Sequence, residues 1–277
     1  LFHTAALSRF LAYMYAGGTF IVTREFDPRK CLEIIEEEKV TAMTGNPTIW
    51  GKLLQEMEKK SYDTRSMRMY LSSQGFLHPT MQKAIETRLF PQAKTYVSYA
   101  LTEGSPGITI LKPADRPRET GSVGKPYMCT EVRIVDDEDR DVPVGEVGEI
   151  LIKGPQVMKG YLNAPEETMK VLKDGWLNTG DVVRVDSDGW LYIIGRKRDR
   201  IITAGRTVWP SIIEEILRSH PAVEEAVAIG APDPLRCSTE VHAFVVPKKN
   251  SKVEGLTMEL KAYAATRLES YAVPGTI

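Results

Sequence analysis

Between Thr19 and Tyr99, short apolar runs alternate with stretches in which apolar residues recur every three or four positions. The runs "TFIVTREF", "VTAMTG", "MRMYLSS" and "KTYVSYA" predict strands, whereas "DPRKCLEIIEEEK", "NPTIWGKLLQEMEK" and "HPTMQKAIETRLF" predict helices. Asp27-Pro28 and Asn46-Pro47 each set a capping side chain before a proline at the first helical position, where the missing N–H costs nothing. Strands joined through helices run parallel, so residues 1–118 are expected to form an α/β region with a parallel sheet. Ligands of such sheets sit beyond the carboxyl ends of the strands, which draws attention to the loops after Leu71 and Tyr99.

The texture changes over residues 119–195 to β-branched runs broken by turns, as in "EVRIVDDEDRDVPVGEVGEILIKG" and "DVVRVDSDGWLYIIG". The acidic "DDEDRD" reads as an exposed loop and "VDSDG" as a hairpin turn, which predicts a small antiparallel sheet or barrel. A third texture follows Gly195. "RDRIITAG" reads as strand and turn, "WPSIIEEILRSHP" as a helix, "VEEAVAIGAPD" and "TEVHAFVVPKK" as strands, and "TMELKAYAATRLESY" as a last helix. Residues 201–277 are therefore expected to be a compact α+β unit, with the boundary near Gly195 to Asp199.

Composition narrows the classes. At 277 residues, with 42% hydrophobic and 26% charged positions, the chain has material for more than one core. A formal net charge of -1 offers no global field to nucleic acid or an anionic membrane, so basic clusters must act locally. Cys31, Cys129 and Cys237 are too few and too far apart for a disulfide framework or a metal knuckle, and read as free thiols of a cytoplasmic protein. No run reaches the about 18 apolar residues that suggest a transmembrane segment. The chain opens without Met on "LFHTAALSRFLAYMYAGG", which has no basic leader, and reads as truncated rather than as a signal peptide.

Four motifs could carry chemistry. In "LNTGDVV", Asp181 follows a Thr-Gly turn and precedes an apolar strand; its two oxygens could hold a vicinal diol such as a ribose, or merely accept N–H bonds in their own turn. In "SYALTEGSPG", Tyr99 ends a strand and could stack on a purine, with Thr102 for a phosphate oxygen and Glu103 for Mg²⁺; a core aromatic before a polar loop is the plain alternative. Gly75 in "SSQGFLHP" could admit a flat base, or be an ordinary turn glycine. In "GRKRDRIITAGRTVWP", Arg196, Lys197, Arg198 and Arg200 would alternate sides if extended, and Arg196 is best placed to point inward. The glycines at 145, 148, 154 and 160 read as turns and bulges. No phosphate-loop, zinc or nucleophile-elbow pattern appears.

Taken in order, "LFH", "SYALTEGSPG", "GEILIKGPQVMKGYLN", "GWLNTGD" and "GRKRDRIITAGRTVWPSIIEEIL" resemble the adenylate-forming superfamily of acyl-CoA synthetases, nearest to fatty or medium-chain acyl-CoA ligases. The resemblance implies ATP-dependent activation of a carboxylic acid to an acyl-adenylate, then transfer to coenzyme A. It implies ATP or AMP, Mg²⁺ and coenzyme A as ligands, a fatty or aryl acid as substrate, and leaves room for a homodimer. Tyr99 then matches the adenine-stacking aromatic, with Gln74 and Gly75 beside the base. Thr102 matches the phosphate-binding threonine and Glu103 the Mg²⁺ ligand. Asp181 and Arg196 match the ribose contacts, and His3 the histidine near the reacting carboxylate. Arg198 falls at the hinge position and Gly205 in the loop of the thioester step. By the same token residues 1–118 carry the adenine and acyl side, 119–195 complete the large domain, 196–200 form the hinge, and 201–277 form a small mobile domain.

The sequence also departs from that pattern. The glycine-rich phosphate loop and the adenylation lysine, which stands in a P-x-x-x-G-K context, are absent from these 277 residues, and Lys261 does not stand in that context. Asn178 replaces a basic or aromatic residue and Ala100 a glycine. The expectation is a ligase of which these residues are the central and C-terminal part, slow in adenylation on their own. An adenylation domain that loads a carrier protein, and a non-catalytic nucleotide-binding fragment, stay open as alternatives.

Overall fold

The computed structural model describes residues 3–105, 107–115, 117, 121–203, 205–233, 238–249 and 251–277. Leu1 and Phe2 of the "LFH" motif, Cys237, and the expected boundary at 118 and 119 lie outside the described residues.

Helix α1 (Thr4–Tyr15) is followed by α2 (Pro28–Glu37) and α3 (Pro47–Lys59), and both prolines stand in the first turn as expected. The Asp27 carboxylate accepts from the Lys30 N–H at 2.8 Å and the Asn46 side chain from the Ile49 N–H at 3.0 Å, satisfying donors that no helical carbonyl can reach. Strands β1 (Ala42–Gly45), β2 (Met69–Ser72) and β3 (Lys94–Tyr99) pair in parallel. Helix α4 (Pro79–Ala84) continues into a π-helical turn, Ile85–Leu89, before β3. Under the sheet, Trp50, Tyr70 and Phe90 are fully buried, with the Trp50 and Tyr70 rings edge-to-face at 5.5 Å.

One expected strand is missing. Residues 19–23 run without secondary structure, and Ile21 and Val22 are exposed. β-propensity there finds no ladder among the described residues, where β1 is the end of the sheet order and pairs with β2 alone. On the other side β3 is followed by a 3-10 turn, Thr102–Gly104, instead of a helix. Strands β4 (Thr109–Leu111) and β5 (Lys125–Pro126) then add antiparallel, giving the order β1-β2-β3-β4-β5.

A second sheet holds β6 (Glu131–Val135), β7 (Val147–Lys153), β8 (Leu172–Lys173), β9 (Trp176–Val185) and β10 (Leu191–Arg196), in the order β10-β9-β7-β6 with β8 on β9. Helix α5 (Pro165–Val171) precedes β8. The "VDSDG" turn forms as expected: the Asp186 carboxylate accepts from the Asp188 and Trp190 N–H groups, both at 2.9 Å. Beyond it lie the hairpin β11 (Ile201–Thr203) and β12 (Arg206–Val208), then α6 (Pro210–Arg218), the antiparallel pair β13 (Val223–Asp233) and β14 (Ser238–Pro247), and α7 (Leu256–Ala265).

The chain divides into two compact units, Leu1–Thr179 with Arg184–Ile193, and Gly180–Val183 with Ile194–Ile277. The second has its own core, in which Ile213 and Leu217 of α6 and Leu260 of α7 are fully buried with Val223 and Val241 of the strands. Among the described residues no helix is long and apolar enough to cross a membrane.

Burial among the α2 side chains pushes the Cys31 thiol up to about 11, with a smaller push from the Asp27 carboxylate, whereas Cys129 is exposed. At pH 8 such a thiol is about 0.1% thiolate, against about a quarter for an ordinary one. Alkylation at pH 8 followed by peptide mass mapping should therefore label Cys129 about a hundredfold faster than Cys31; equal rates would contradict the burial. Because the native state holds this proton more tightly, its contribution to stability is whole below the ordinary thiol pKa and is lost as pH rises toward 11.

Candidate functional site

In the first unit, the carboxyl ends of the parallel strands β2 and β3 carry Gln74, Gly75, Tyr99, Thr102 and Glu103, half of the residues singled out in the sequence. Gln74 lies two residues past β2 with φ +61, a left-handed conformation unusual for a non-glycine residue, and its side chain is exposed. Its Nε2 lies 3.5 Å from His3 Nδ1. His3 is the N-cap of α1, and the same Nδ1 accepts from the Ala5 N–H at 3.2 Å. That nitrogen is therefore an acceptor, and the Gln74 amide can only donate to it. Gly75 stands so close to Pro47 that a Cβ would lie 3.1 Å from the proline ring.

Tyr99 is the last residue of β3, pairs across the sheet with Thr109 and is partly buried. Thr102 and Glu103 open the 3-10 turn, with Thr102 exposed. Ser105 ends it at φ +55, a second non-glycine residue in the left-handed region at this edge. Such conformations cost on the order of 1 kcal/mol and collect where a backbone is shaped for a ligand. The turn is held from outside: the Glu103 carbonyl accepts from the Met158 N–H at 2.7 Å, and Glu103 Oε1 from the Tyr161 hydroxyl at 2.9 Å.

Tyr161 was not among the residues found from the sequence. It stands in the motif "GEILIKGPQVMKGYLN" without an individual role there, and Gly160 before it reads as a turn or bulge. Burial of its ring, then the hydrogen bond and charge of Glu103, raise its phenol above the usual value.

The second unit holds Asp181 and Arg196. The expected turn before Asp181 is absent, because Thr179 and Gly180 lie inside the continuous strand β9. Gly180 takes φ +71, which kinks the strand as a bulge would while the chain stays extended on both sides. Asp181 is buried, its side chain 7% exposed against 51% for Arg196, and the Arg196 Nε donates to Asp181 Oδ1 at 2.9 Å. The basic stretch is not extended either. Lys197–Asp199 form a 3-10 turn, so the alternation expected of a strand stops at Arg196. Arg198 pairs with Asp199 at 3.5 Å, with its side chain out in solvent. Gly205 lies just before β12, which pairs antiparallel with β11, at φ +73, a conformation that favours glycine.

Among the described residues no three His, Cys, Asp or Glu side chains gather to hold a metal unaided. A single carboxylate such as Glu103 nonetheless fits Mg²⁺, which commonly keeps one or two protein carboxylates and completes its shell with phosphate oxygens and water.

Residues 1–162 match the family model of the AMP-binding enzyme, and residues 212–277 that of the AMP-binding enzyme C-terminal domain. A feruloyl-CoA synthase from Amycolatopsis sp is 37% identical over 279 aligned residues, covering 100% of this chain and 55% of that protein. A long-chain-fatty-acid–CoA ligase from Bacillus subtilis (strain 168) is 40% identical, covering 99% of this chain and 48% of its own length. The chain thus spans about half the length of the curated relatives it matches. The solved structure of the O-succinylbenzoate coenzyme A synthetase from Bacillus subtilis, in complex with ATP and magnesium ion, superposes with a TM-score of 0.85 at 32% identity, covering 100% of this chain and 55% of that one. The chain belongs to the AMP-binding enzyme family.

Proposed function

We propose that the protein is an ATP-dependent carboxylic acid–CoA ligase that forms an acyl-adenylate and then an acyl-CoA thioester. The observation that carries this reading is the set Gln74, Gly75, Tyr99, Thr102 and Glu103 at the carboxyl ends of two neighbouring parallel strands, where sheets of this kind bind ligands. The names of the relatives support the choice of thiol and of a fatty or aryl acid.

The roles follow from chemistry. Tyr99 presents an aromatic face to the adenine, beside Gln74 and Gly75. Thr102 donates its hydroxyl to a phosphate oxygen. Glu103 holds Mg²⁺, which when bound supplies charge neutralisation on the phosphates. His3, with Gln74 donating to its Nδ1, orients an Nε2 N–H toward the acid. In the second unit Asp181 accepts from the ribose hydroxyls while the Arg196 guanidinium pairs with its Oδ1. Arg198 is the pivot, and Gly205 lies in the loop for the thioester step. Attack of a carboxylate oxygen on the α-phosphorus forms the acyl-O–P bond and expels pyrophosphate. The thiolate of coenzyme A then attacks the acyl carbon and expels AMP. Neither step needs a protein nucleophile, so positioning and charge stabilisation carry the rate. ATP, coenzyme A and free thiols all suit a cytoplasmic enzyme.

The test is pyrophosphate release by the full natural chain that contains these residues, over a panel of aliphatic and aromatic acids, with coenzyme A present or omitted. Sustained release should require both a fatty or aryl acid and coenzyme A. Release that needs a phosphopantetheinylated carrier protein instead of coenzyme A would identify a carrier-loading domain. Nucleotide binding without release under any condition would identify a non-catalytic binder.

A further inference from the structure

The loop 154–161 meets the Glu103 turn twice. The Met158 N–H donates to the Glu103 carbonyl at 2.7 Å, and the Tyr161 hydroxyl to Glu103 Oε1 at 2.9 Å. We propose that Tyr161 is a positioning residue: its hydroxyl fixes the Glu103 carboxylate through Oε1 and turns Oε2 toward a divalent cation. The proposal rests on the reading of Glu103 as the carboxylate that holds Mg²⁺.

Three features argue that this contact is built. The Tyr161 backbone is anchored, because its N–H donates to Thr168 Oγ1 at 2.9 Å while that hydroxyl donates to the Ala164 carbonyl at 2.9 Å. The approach leaves no room for a larger residue before it: Gly160 has φ +150, and a Cβ there would lie 2.9 Å from Thr168 Cγ2. The partner is also chemically suited. A guanidinium or ammonium at this place would neutralise Glu103 and compete with the cation, whereas a phenol orients the carboxylate and leaves its charge intact. Oε2 accepts no hydrogen bond from the described residues. Freed of Tyr161, a half-buried glutamate in a short turn would sample more than one rotamer, and cation binding would carry the cost of selecting one.

Tyr161→Phe keeps the ring and removes only the donor. In the full natural chain, Mn²⁺ affinity in the presence of the α,β-methylene analogue of ATP can be read by electron paramagnetic resonance, for wild type, Tyr161→Phe, Glu103→Gln and the double variant. Tyr161→Phe is expected to weaken Mn²⁺ about tenfold, the scale of one hydrogen bond to a charged group. The Mg²⁺ for half-maximal pyrophosphate release should rise by a similar factor, with the rate at saturating Mg²⁺ within about twofold of wild type. In the double variant the tyrosine change should add nothing to the glutamate change. Wild-type Mn²⁺ affinity in Tyr161→Phe, with affinity lost in Glu103→Gln, would overturn the positioning role and leave Glu103 as the cation's carboxylate. Wild-type affinity in Glu103→Gln would overturn both.

Discussion

Asp181→Ala in the full natural chain is expected to raise the ATP concentration needed for half-maximal rate about a hundredfold, with a smaller change in the rate at saturation. Each hydrogen bond to an ionised group contributes about 1.5–3 kcal/mol, so losing two contacts to the ribose diol reaches or exceeds that factor. Asp181 is buried on the kinked strand β9, where water does not replace the lost acceptor as it would at the surface. Arg196, about half exposed, regains water when its partner is removed, so the fold should survive the change. Asp181→Asn keeps the shape and part of the acceptor, and should fall between the two. Steady-state kinetics over a range of ATP concentrations separate these cases. Wild-type ATP dependence in Asp181→Ala would remove the carboxylate from the ribose site and leave it a structural role.

The largest expected loss of stability is at Gly124. A Cβ there would lie 2.0 Å from the carbonyl carbon and oxygen of Ile110, and the residue has φ +93. The obstacle is the backbone of β4, which cannot swing aside as a side-chain tip can. Gly124 also bridges to Leu191 of β10, donating to the Ser122 hydroxyl at 3.0 Å and accepting from the Leu191 N–H at 3.0 Å. Gly124→Ala therefore combines a strained φ with a broken bridge, and is expected to cost about 4 kcal/mol or more. For a unit of this size that lowers the melting temperature by on the order of 10 °C. Gly189→Ala is the control, since it too has a positive φ but nothing lies within 4 Å of its Cβ position. Equal melting shifts in the two variants would show that the close approach at Gly124 contributes little.

Local chemistry was legible wherever it was sufficient. Asp27-Pro28 and Asn46-Pro47 announce helices because cap, proline and apolar period lie within one turn of each other, and α2 and α3 start there. "VDSDG" announces its hairpin because Asp186 satisfies the turn by itself. Features that depend on a distant partner were not legible. "TFIVTREF" has the composition of a strand, yet a strand exists only beside another, and among the described residues β1 pairs with β2 alone. The Thr-Gly pair before Asp181 has the composition of a turn, but the ladder of β9 carries the chain straight through it. Lys197–Asp199 coil into a 3-10 turn that the charge pattern does not encode.

The candidate site divides along the same line. Glu103 and Asp181 stand in short motifs whose residue types suggest their chemistry. Tyr161 lies 58 positions from Glu103 in sequence, and only the folded chain brings the two side chains within hydrogen-bond distance.

The most direct measurement follows oxygen. With a fatty or aryl acid labelled with ¹⁸O in both carboxylate oxygens, the full natural chain should deliver one ¹⁸O into AMP for each acyl-CoA formed, because the acyl-O–P bond is made by the acid and broken at the acyl carbon. Mass spectrometry of the nucleotide reads this without ambiguity. Label recovered in inorganic phosphate together with ADP would mean activation at the γ-phosphorus through an acyl phosphate, and would contradict the adenylate route.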